Sequence, residues 1–332
     1  MSRLQVVLAG PEHAEEVVRI IHRSFGARPV LDPPATAMDE TAETVAAGLR
    51  RDGGLLALRD NEAVGTMLFN RDRAGLLGMR RVSVDPAAQI HGVASAMVGV
   101  AESVAAESGA HGLWLYVREE LPNTIRFWSR RGYYPIGRDE PLLEFGKELG
   151  AQFSCDTVDQ THRLAGHLAA VVRPGDLLVL SGDLGAGKTT FVQGFGAALG
   201  VRGPITSPTF VIARAHPSLS NGPALIHVDA YRLGGAEEID DLDLDTDTER
   251  SVTVVEWGAD MAEQLADSRL EIFFERTTPA QEHGDEPDET RRITIRPHGP
   301  RWFGAELASL GEKAGGAGRP YQDRDRNGDT VR

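Results

Sequence analysis

One cysteine, Cys155, stands in 332 residues. It can close no internal disulfide and build no cysteine-based zinc cage, so a reducing compartment is the expected home. Lysine is almost as scarce: Lys147, Lys188 and Lys313 are the only three among 35 basic residues, which makes the position of each informative. No stretch is apolar for long enough to span a bilayer. The start, MSRLQVVLAGPEHAEE, turns acidic before a signal-peptide core could develop, so a cytoplasmic protein without a membrane association is expected. Positive charge is also in deficit. Residues 1–150 carry 17 basic and 20 acidic side chains, residues 151–332 carry 18 and 29, and the whole chain is at −14. A chain that grips nucleic acid by itself is expected to be basic, so any RNA would be reached through a partner that supplies the basic surface.

What remains is an ordinary globular composition, 41% apolar and 25% charged, which excludes a collagenous, coiled-coil or wholly disordered chain. The length suits two domains. In the first, Pro11 opens a helix carried by Ala14, Val17, Val18 and Ile21. Strand-like runs follow at Gly54–Arg59 and Ala63–Asn70, joined by an Asp60-Asn61 turn, and a third at Arg81–Val84 stops at Asp85-Pro86. A glycine-containing loop then leads into a helix with Val93, Met97, Val100 and Val104 on one face. Leu113–Val117 reads as a strand and Asn123–Arg131 as a short helix ended by Gly132. A new cycle starts near Gly146–Gln152: helix Val158–Val172, buried strand Leu177–Ser181, a glycine loop, and helix Lys188–Leu199 closed by Gly200. Strands are expected at Ile205–Ala213, Ala224–Asp229, Val252–Glu256, Leu270–Phe274 and Arg292–Ile295, and a solvated loop at Pro279–Glu289. The fold class is α/β in two domains, 1–147 and 151–302, with a disordered tail over 311–332.

The strongest motif is Gly182-Asp183-Leu184-Gly185-Ala186-Gly187-Lys188-Thr189, which satisfies G-x-x-x-x-G-K-[ST] at every position between a buried strand and a helix. Glycines let the backbone curl until successive N–H groups point at phosphate oxygens, and the helix adds its positive N-terminal end. Lys188 would reach the β- and γ-phosphates, and the Thr189 hydroxyl would complete the ligand set of a magnesium ion. Such an ion also needs a carboxylate at a neighbouring strand end. Asp229 and Glu256 both end apolar strands, and one would hold the metal while the other positions the attacking water. Asp243, Asp245 and Asp247 imitate a calcium loop, but Thr248 stands where the turn glycine belongs and Val254 where the bidentate glutamate belongs. The acidic run Glu237–Glu249 is instead expected to be a solvated face or a surface for a basic partner.

The blocks GDLGAGKTTF, SPTF at Ser207–Phe210, HVDAYRL at His227–Leu233 and VEW at Val255–Trp257 together resemble the TsaE (YjeE) family over about residues 152–300. The resemblance implies a P-loop ATPase that works with TsaB- and TsaD-like proteins to make threonylcarbamoyl adenosine in tRNA, touching tRNA only through that complex. It implies that the loop residues, Thr190 behind them and Trp257 contact ATP. Thr189 and Glu256 would hold Mg2+, Asp229, Glu256 and Lys188 would be catalytic, and Ser207-Pro208-Thr209 would form a mobile segment near the γ-phosphate. His227 is expected to be a satisfied strand histidine. The alternative is a small-molecule kinase on the same phosphate loop, which would need an acceptor pocket and an arginine-bearing lid.

In the first half, Gln89-Ile90-His91-Gly92-Val93-Ala94 fits Q-x-x-G-x-A between a strand and a helix. Loop amides and a helix end can hold a pyrophosphate there, with Gly92 allowing close backbone approach. With the strand Val82–Val84 before it and Asn123–Tyr133 after it, this segment resembles the GNAT N-acetyltransferases over residues 3–146. The resemblance implies that Gln89, Gly92, Val93 and Ala94 hold the pyrophosphate of acetyl-CoA. It also implies that Val82 and Val84 offer backbone groups to the pantetheine arm, and that Asn123 contacts the cofactor. Where the family often has a tyrosine that protonates the departing thiolate, Trp128 stands here, and an indole cannot donate that proton. Tyr116, Tyr133 and Tyr134 are the candidates to replace it. The alternative is a module that serves interaction and no catalysis.

Overall fold

The computed structural model describes residues 3–29, 31–88, 92–208, 212–232, 250–258, 266–276, 290–314 and 318–321. The chain divides into two compact units, one up to Lys147 and one over Glu148–Tyr321.

The first unit opens with β1 (Leu4–Leu8), a turn of 3-10 helix with Pro11 at its first position, α1 (Ala14–Gly26) and α2 (Ala42–Asp52). There follow β2 (Gly54–Arg59), β3 (Glu62–Asn70), β4 (Leu76–Val84), α3 (Val93–Glu107), β5 (Gly112–Arg118), α4 (Pro122–Ser129), β6 (Tyr134–Asp139) and β7 (Leu142–Glu148). Positive φ at both Asp60 and Asn61 makes the tight turn that joins β2 to β3. The seven strands lie in the order β1-β2-β3-β4-β5-β7-β6. Val17, Ile20 and Ile21 of α1 and Val45 and Leu49 of α2 bury on one face against Leu56 and Leu68. The opposite face takes α3, whose Val93 and Met97 lie so close to Gly65 that a Cβ there would come within 2.9 Å of Val93.

One irregularity shapes this sheet. β4 and β5 run parallel and pair only at Leu76–Gly78 with Gly112–Trp114, and farther along β4, Arg81 takes φ +53°. Past Gly78 and Trp114 the two strands have no mutual ladder. The gap opens into a cavity of about 1190 Å³.

The second unit starts with β8 (Gly150–Cys155), α5 (Val158–Ala169), β9 (Leu177–Gly182) and α6 (Lys188–Leu199), followed by β10 (Ala213–His216), β11 (Ala224–Asp229) and β12 (Ser251–Glu256). It closes with β13 (Arg269–Arg276), β14 (Arg291–His298), α7 (Ser309–Ala314) and β15 (Arg319–Tyr321). The Thr157 hydroxyl accepts the Gln160 N–H at 3.2 Å to start α5, a cap that contributes about 1 kcal/mol. The strand order is β10-β11-β12-β9-β13-β14-β8-β15, with β11, β12, β9 and β13 mutually parallel. Alternate residues of β9 serve opposite faces: Leu178 and Leu180 join Phe191 and Phe195 of α6, whereas Leu177 and Val179 join Ile226, Val228 and Val255. A strand buried on both faces reads as an unbroken apolar run.

Three expectations change. Ile205–Pro208 is irregular and the strand begins at Ala213, because Pro204 and Pro208 interrupt a ladder and Ile212 takes φ +67°. β1 and the strands β6 to β8, absent from the sequence reading, complete the sheets. Within the tail expected from Gly311, helix α7 reaches Ala314 and β15 covers Arg319–Tyr321, while 315–317 and 322–332 lie outside the described residues. β15 pairs with β8, and the Tyr321 hydroxyl accepts from Arg296 at 2.9 Å. The acidic run to Glu249 and the loop 279–289 lie outside the described residues.

Candidate functional site

The phosphate loop bridges β9 and α6. Gly182 takes φ +148°, and a Cβ on it would lie 2.4 Å from the Phe274 carbonyl oxygen of neighbouring β13. Only a residue without a side chain fits. Gly187, in the left-handed region, starts α6. Leu184 at the crest is 89% exposed. The loop is braced from β13 by Arg276, whose Nε donates to the Gly185 carbonyl at 3.1 Å.

Lys188 is buried at the start of α6. Its Nζ donates to the carbonyls of Gly182 at 2.7 Å and Asp183 at 3.1 Å, and it lies 3.7 Å from the centroid of the Trp257 ring. Burial pushes its ammonium down from the ordinary lysine value, against the opposing pull of Glu256, Asp229 and Asp183. Trp257 reaches this position through a left-handed backbone, φ +64°, uncommon for a bulky residue, and its N–H donates to Leu180 at 2.9 Å. Tyr231 sits against the same indole with ring centroids 5.3 Å apart.

Behind the lysine, the Thr189 hydroxyl donates to Glu256, 3.1 Å from Oε1 and 3.3 Å from Oε2. Glu256 is 2% exposed and also accepts from Nε2 of the fully buried His227 at 2.9 Å. The other ring nitrogen, Nδ1, has no partner among the described residues. The satisfied strand histidine of the sequence reading is thus satisfied at one nitrogen only, and through the very carboxylate that faces the loop. Asp229 is the register partner of Glu256 on the adjacent parallel strand. It accepts from the Ser207 hydroxyl at 2.9 Å and from the Tyr231 N–H at 3.1 Å. The structure therefore brings Lys188, Thr189, Glu256, Asp229, Ser207 and Trp257 to one end of the sheet; Thr190, half-buried, follows on α6. Thr209 and Phe210 lie outside the described residues. Sequence reasoning missed Arg276 and the Glu256 contact of His227, because strand pairing and register place both.

Among the described residues no three His, Cys, Asp or Glu side chains gather to hold a metal. The Thr189 hydroxyl and the Glu256 carboxylate are nonetheless two hard oxygen donors on one spot. They fit Mg2+, which takes few protein ligands and completes its octahedron with phosphate and water oxygens.

In the first unit, Val82, Val84, Gly92, Val93, Ala94 and Asn123 all border the cavity between β4 and β5. Gly92, at φ +83°, starts α3; Gln89 lies outside the described residues. Of the three tyrosines, Tyr133 is fully buried, its pKa raised by that burial and by Glu102, to which its hydroxyl donates at 3.1 Å. Tyr134 does not border the cavity. Tyr116 does; it is 42% exposed, and its hydroxyl lies 3.4 Å from Nη2 of Arg73. Trp128 is packed edge-on against Phe127 and Tyr133.

The family model described as threonylcarbamoyl adenosine biosynthesis protein TsaE matches residues 155–284. The tRNA threonylcarbamoyladenosine biosynthesis protein TsaE of Streptomyces coelicolor is 53% identical over 148 residues, 44% of this chain and 97% of that protein. The chain belongs to the TsaE family. The protein of the same name from Bacillus subtilis is 38% identical over 146 residues, 43% of this chain and 84% of that one. The acetyltransferase (GNAT) family model matches residues 15–133, so one chain carries a GNAT domain followed by a TsaE domain. Among solved structures, Bacillus subtilis YdiB is 32% identical, covering 50% of this chain and 94% of its own at a TM-score of 0.37. A Thermoplasma acidophilum PaiA N-acetyltransferase in complex with coenzyme A is 14% identical, covering 44% and 98% at a TM-score of 0.40. Among the described residues no helix is long and apolar enough to cross a membrane.

Proposed function

We propose that the TsaE domain is a magnesium-dependent ATPase of tRNA threonylcarbamoyladenosine biosynthesis, working with TsaB- and TsaD-like partners. We propose further that the GNAT domain transfers an acetyl group from acetyl-CoA to an amine. The first reading is carried by the meeting of Lys188, Thr189 and Glu256 beside a glycine loop at the start of α6, together with the name borne by the relatives of this domain.

The loop N–H groups and the α6 N-terminus bind the phosphates. Lys188, whose ammonium bonds the loop carbonyls of Gly182 and Asp183, turns to the γ-phosphate and offsets charge that develops there. Thr189 and Glu256 would hold Mg2+, which when bound neutralises the β- and γ-oxygens. His227 keeps the Glu256 carboxylate in place from below. Asp229, oriented by Ser207 and the Tyr231 amide, positions the attacking water. The test is ATP hydrolysis by the full chain: Lys188→Ala should lower turnover by about 100-fold or more, and unchanged turnover would overturn the reading.

The GNAT reading is supported by the family match and by one cavity that joins the α3 start, Asn123 and the free edge of β4. Calorimetry with acetyl-CoA on the full chain tests it. A dissociation constant of the micromolar order is expected, and an absence of heat leaves an interaction module.

A further inference from the structure

The cavity of the GNAT domain is charged in a way that its cofactor does not call for. The bordering side chains include five arginines (Arg28, Arg73, Arg80, Arg81 and Arg118) and one acid, Asp72. They stand in a half of the chain with more acidic than basic side chains, so the cation excess is local to this cavity. Four of the five have a carboxylate behind them: Arg73 has Glu144, Arg80 and Arg81 share Glu40, and Arg118 has Glu120. None of those three glutamates borders the cavity.

Arg28 differs. Among the described residues it has no carboxylate partner. Its guanidinium sits 3.8 Å from the Phe25 ring centroid and donates from Nη2 to the Val82 carbonyl at 3.3 Å. Burial lowers its pKa from the ordinary arginine value, yet a guanidinium stays charged at neutral pH. A half-buried charge with no counter-ion is costly unless a ligand supplies one.

The position of Arg28 selects which ligand. It follows α1, on the face of the sheet that α1 and α2 cover, where Arg118 also ties the loop at Asp32 and Pro33 through their carbonyls. The α3 start at Gly92, where a pyrophosphate would bind, belongs to the helix that packs on the opposite face. A cationic acceptor such as a polyamine would meet, among these arginines, the one guanidinium that has no carboxylate partner among the described residues. From the unpaired Arg28 guanidinium beside Val82 and the arginine-rich lining of the α1 side, we infer that the acyl acceptor is a small primary amine that also carries a carboxylate, which Arg28 binds.

The inference rests on the acetyl-CoA reading above. In the reaction the acceptor nitrogen forms a bond to the acetyl carbonyl carbon, the carbon–sulfur bond breaks, and the proton lost by nitrogen ends on the sulfur. The products are an N-acetylamino carboxylate and the free thiol of coenzyme A.

The full chain is assayed by thiol release with glycine, alanine, aspartate and glutamate, each beside its α-carboxamide, and with spermidine. At least one amino acid is expected to be acetylated with kcat/KM about tenfold or more above its carboxamide, the size of one charge-assisted hydrogen-bond pair. In Arg28→Gln that ratio should fall close to one, with the dissociation constant of acetyl-CoA unchanged, and Arg28→Lys should recover part of the ratio. Equal use of acid and carboxamide, preference for spermidine, or acetyl-CoA binding with no amino acid acetylated would each overturn the inference. A weakening of acetyl-CoA itself in Arg28→Gln would overturn it too, by assigning the guanidinium to a cofactor phosphate. An absence of acetyl-CoA binding in the unaltered chain would instead remove the acetyltransferase reading beneath it.

Discussion

Asp229 and Glu256 are register partners at the ends of two adjacent parallel strands, each held by a different hydroxyl: Ser207 on Asp229 and Thr189 on Glu256. On the function proposed above, the two acids take different tasks. Thr189 belongs to the helix that follows the phosphate loop, whereas Ser207 belongs to an irregular segment outside it.

Glu256→Gln and Asp229→Asn should each fold with a melting temperature close to that of the unaltered chain, since an amide still accepts the hydroxyl bond. Both should lose ATP hydrolysis by about 100-fold. Glu256→Gln should also raise the magnesium concentration needed for half-maximal nucleotide binding, and Asp229→Asn should not. A magnesium titration followed by nucleotide fluorescence separates the two.

Gly182→Ala should be destabilising by about 2 kcal/mol or more, because its Cβ would come within 2.4 Å of the Phe274 carbonyl oxygen and its φ of +148° opposes a side chain. Denaturant unfolding read at the TsaE domain checks this. Gly175→Ala, at φ +87° with open space around it, should cost only the backbone part of that loss.

Glu271 lies on β13, in register with Val179 of β9. Its burial opposes ionisation, but His298, whose Nε2 lies 3.1 Å from the carboxylate, and the hydrogen bonds and charge of Arg269 outweigh that and hold its pKa down to about 2. A carboxylate depressed in the folded state contributes stability that is present above its unfolded value, near 4.3, and lost as pH falls toward about 2. The difference in melting temperature between the unaltered chain and Glu271→Gln should be full at pH 6 and shrink between about pH 4 and pH 2. A difference that stays constant across that range would remove the carboxylate as its source.

In the GNAT domain, Tyr116 is the tyrosine that borders the cavity. Tyr116→Phe should lower kcat for acetyl transfer by about 10- to 100-fold, as the loss of a proton donor to the thiolate, with acetyl-CoA affinity kept. Gly92→Glu should abolish that affinity, since a negative side chain at the α3 start opposes the phosphates. Calorimetry and thiol release on the same preparations read both.

The sequence by itself determined whatever is local in the chain. The G-x-x-x-x-G-K-T spacing, the apolar runs ending in Asp229 and Glu256, the Asp60-Asn61 turn and the Gly200 cap follow from backbone conformation and side-chain periodicity over a few residues, and the structure shows them where the residues put them. Only the tertiary structure decided what depends on register between distant segments. His227 lies beneath Glu256 because β11 and β12 pair as they do. Arg276 braces the loop because β13 pairs with β9. Tyr133 is lost to Glu102 while Tyr116 borders the cavity, and Arg28 meets Val82 across 54 positions of sequence. Residues neighbouring in sequence share their backbone geometry, whereas the partner a side chain meets across a sheet is fixed by burial of the whole core, to which every strand contributes at once.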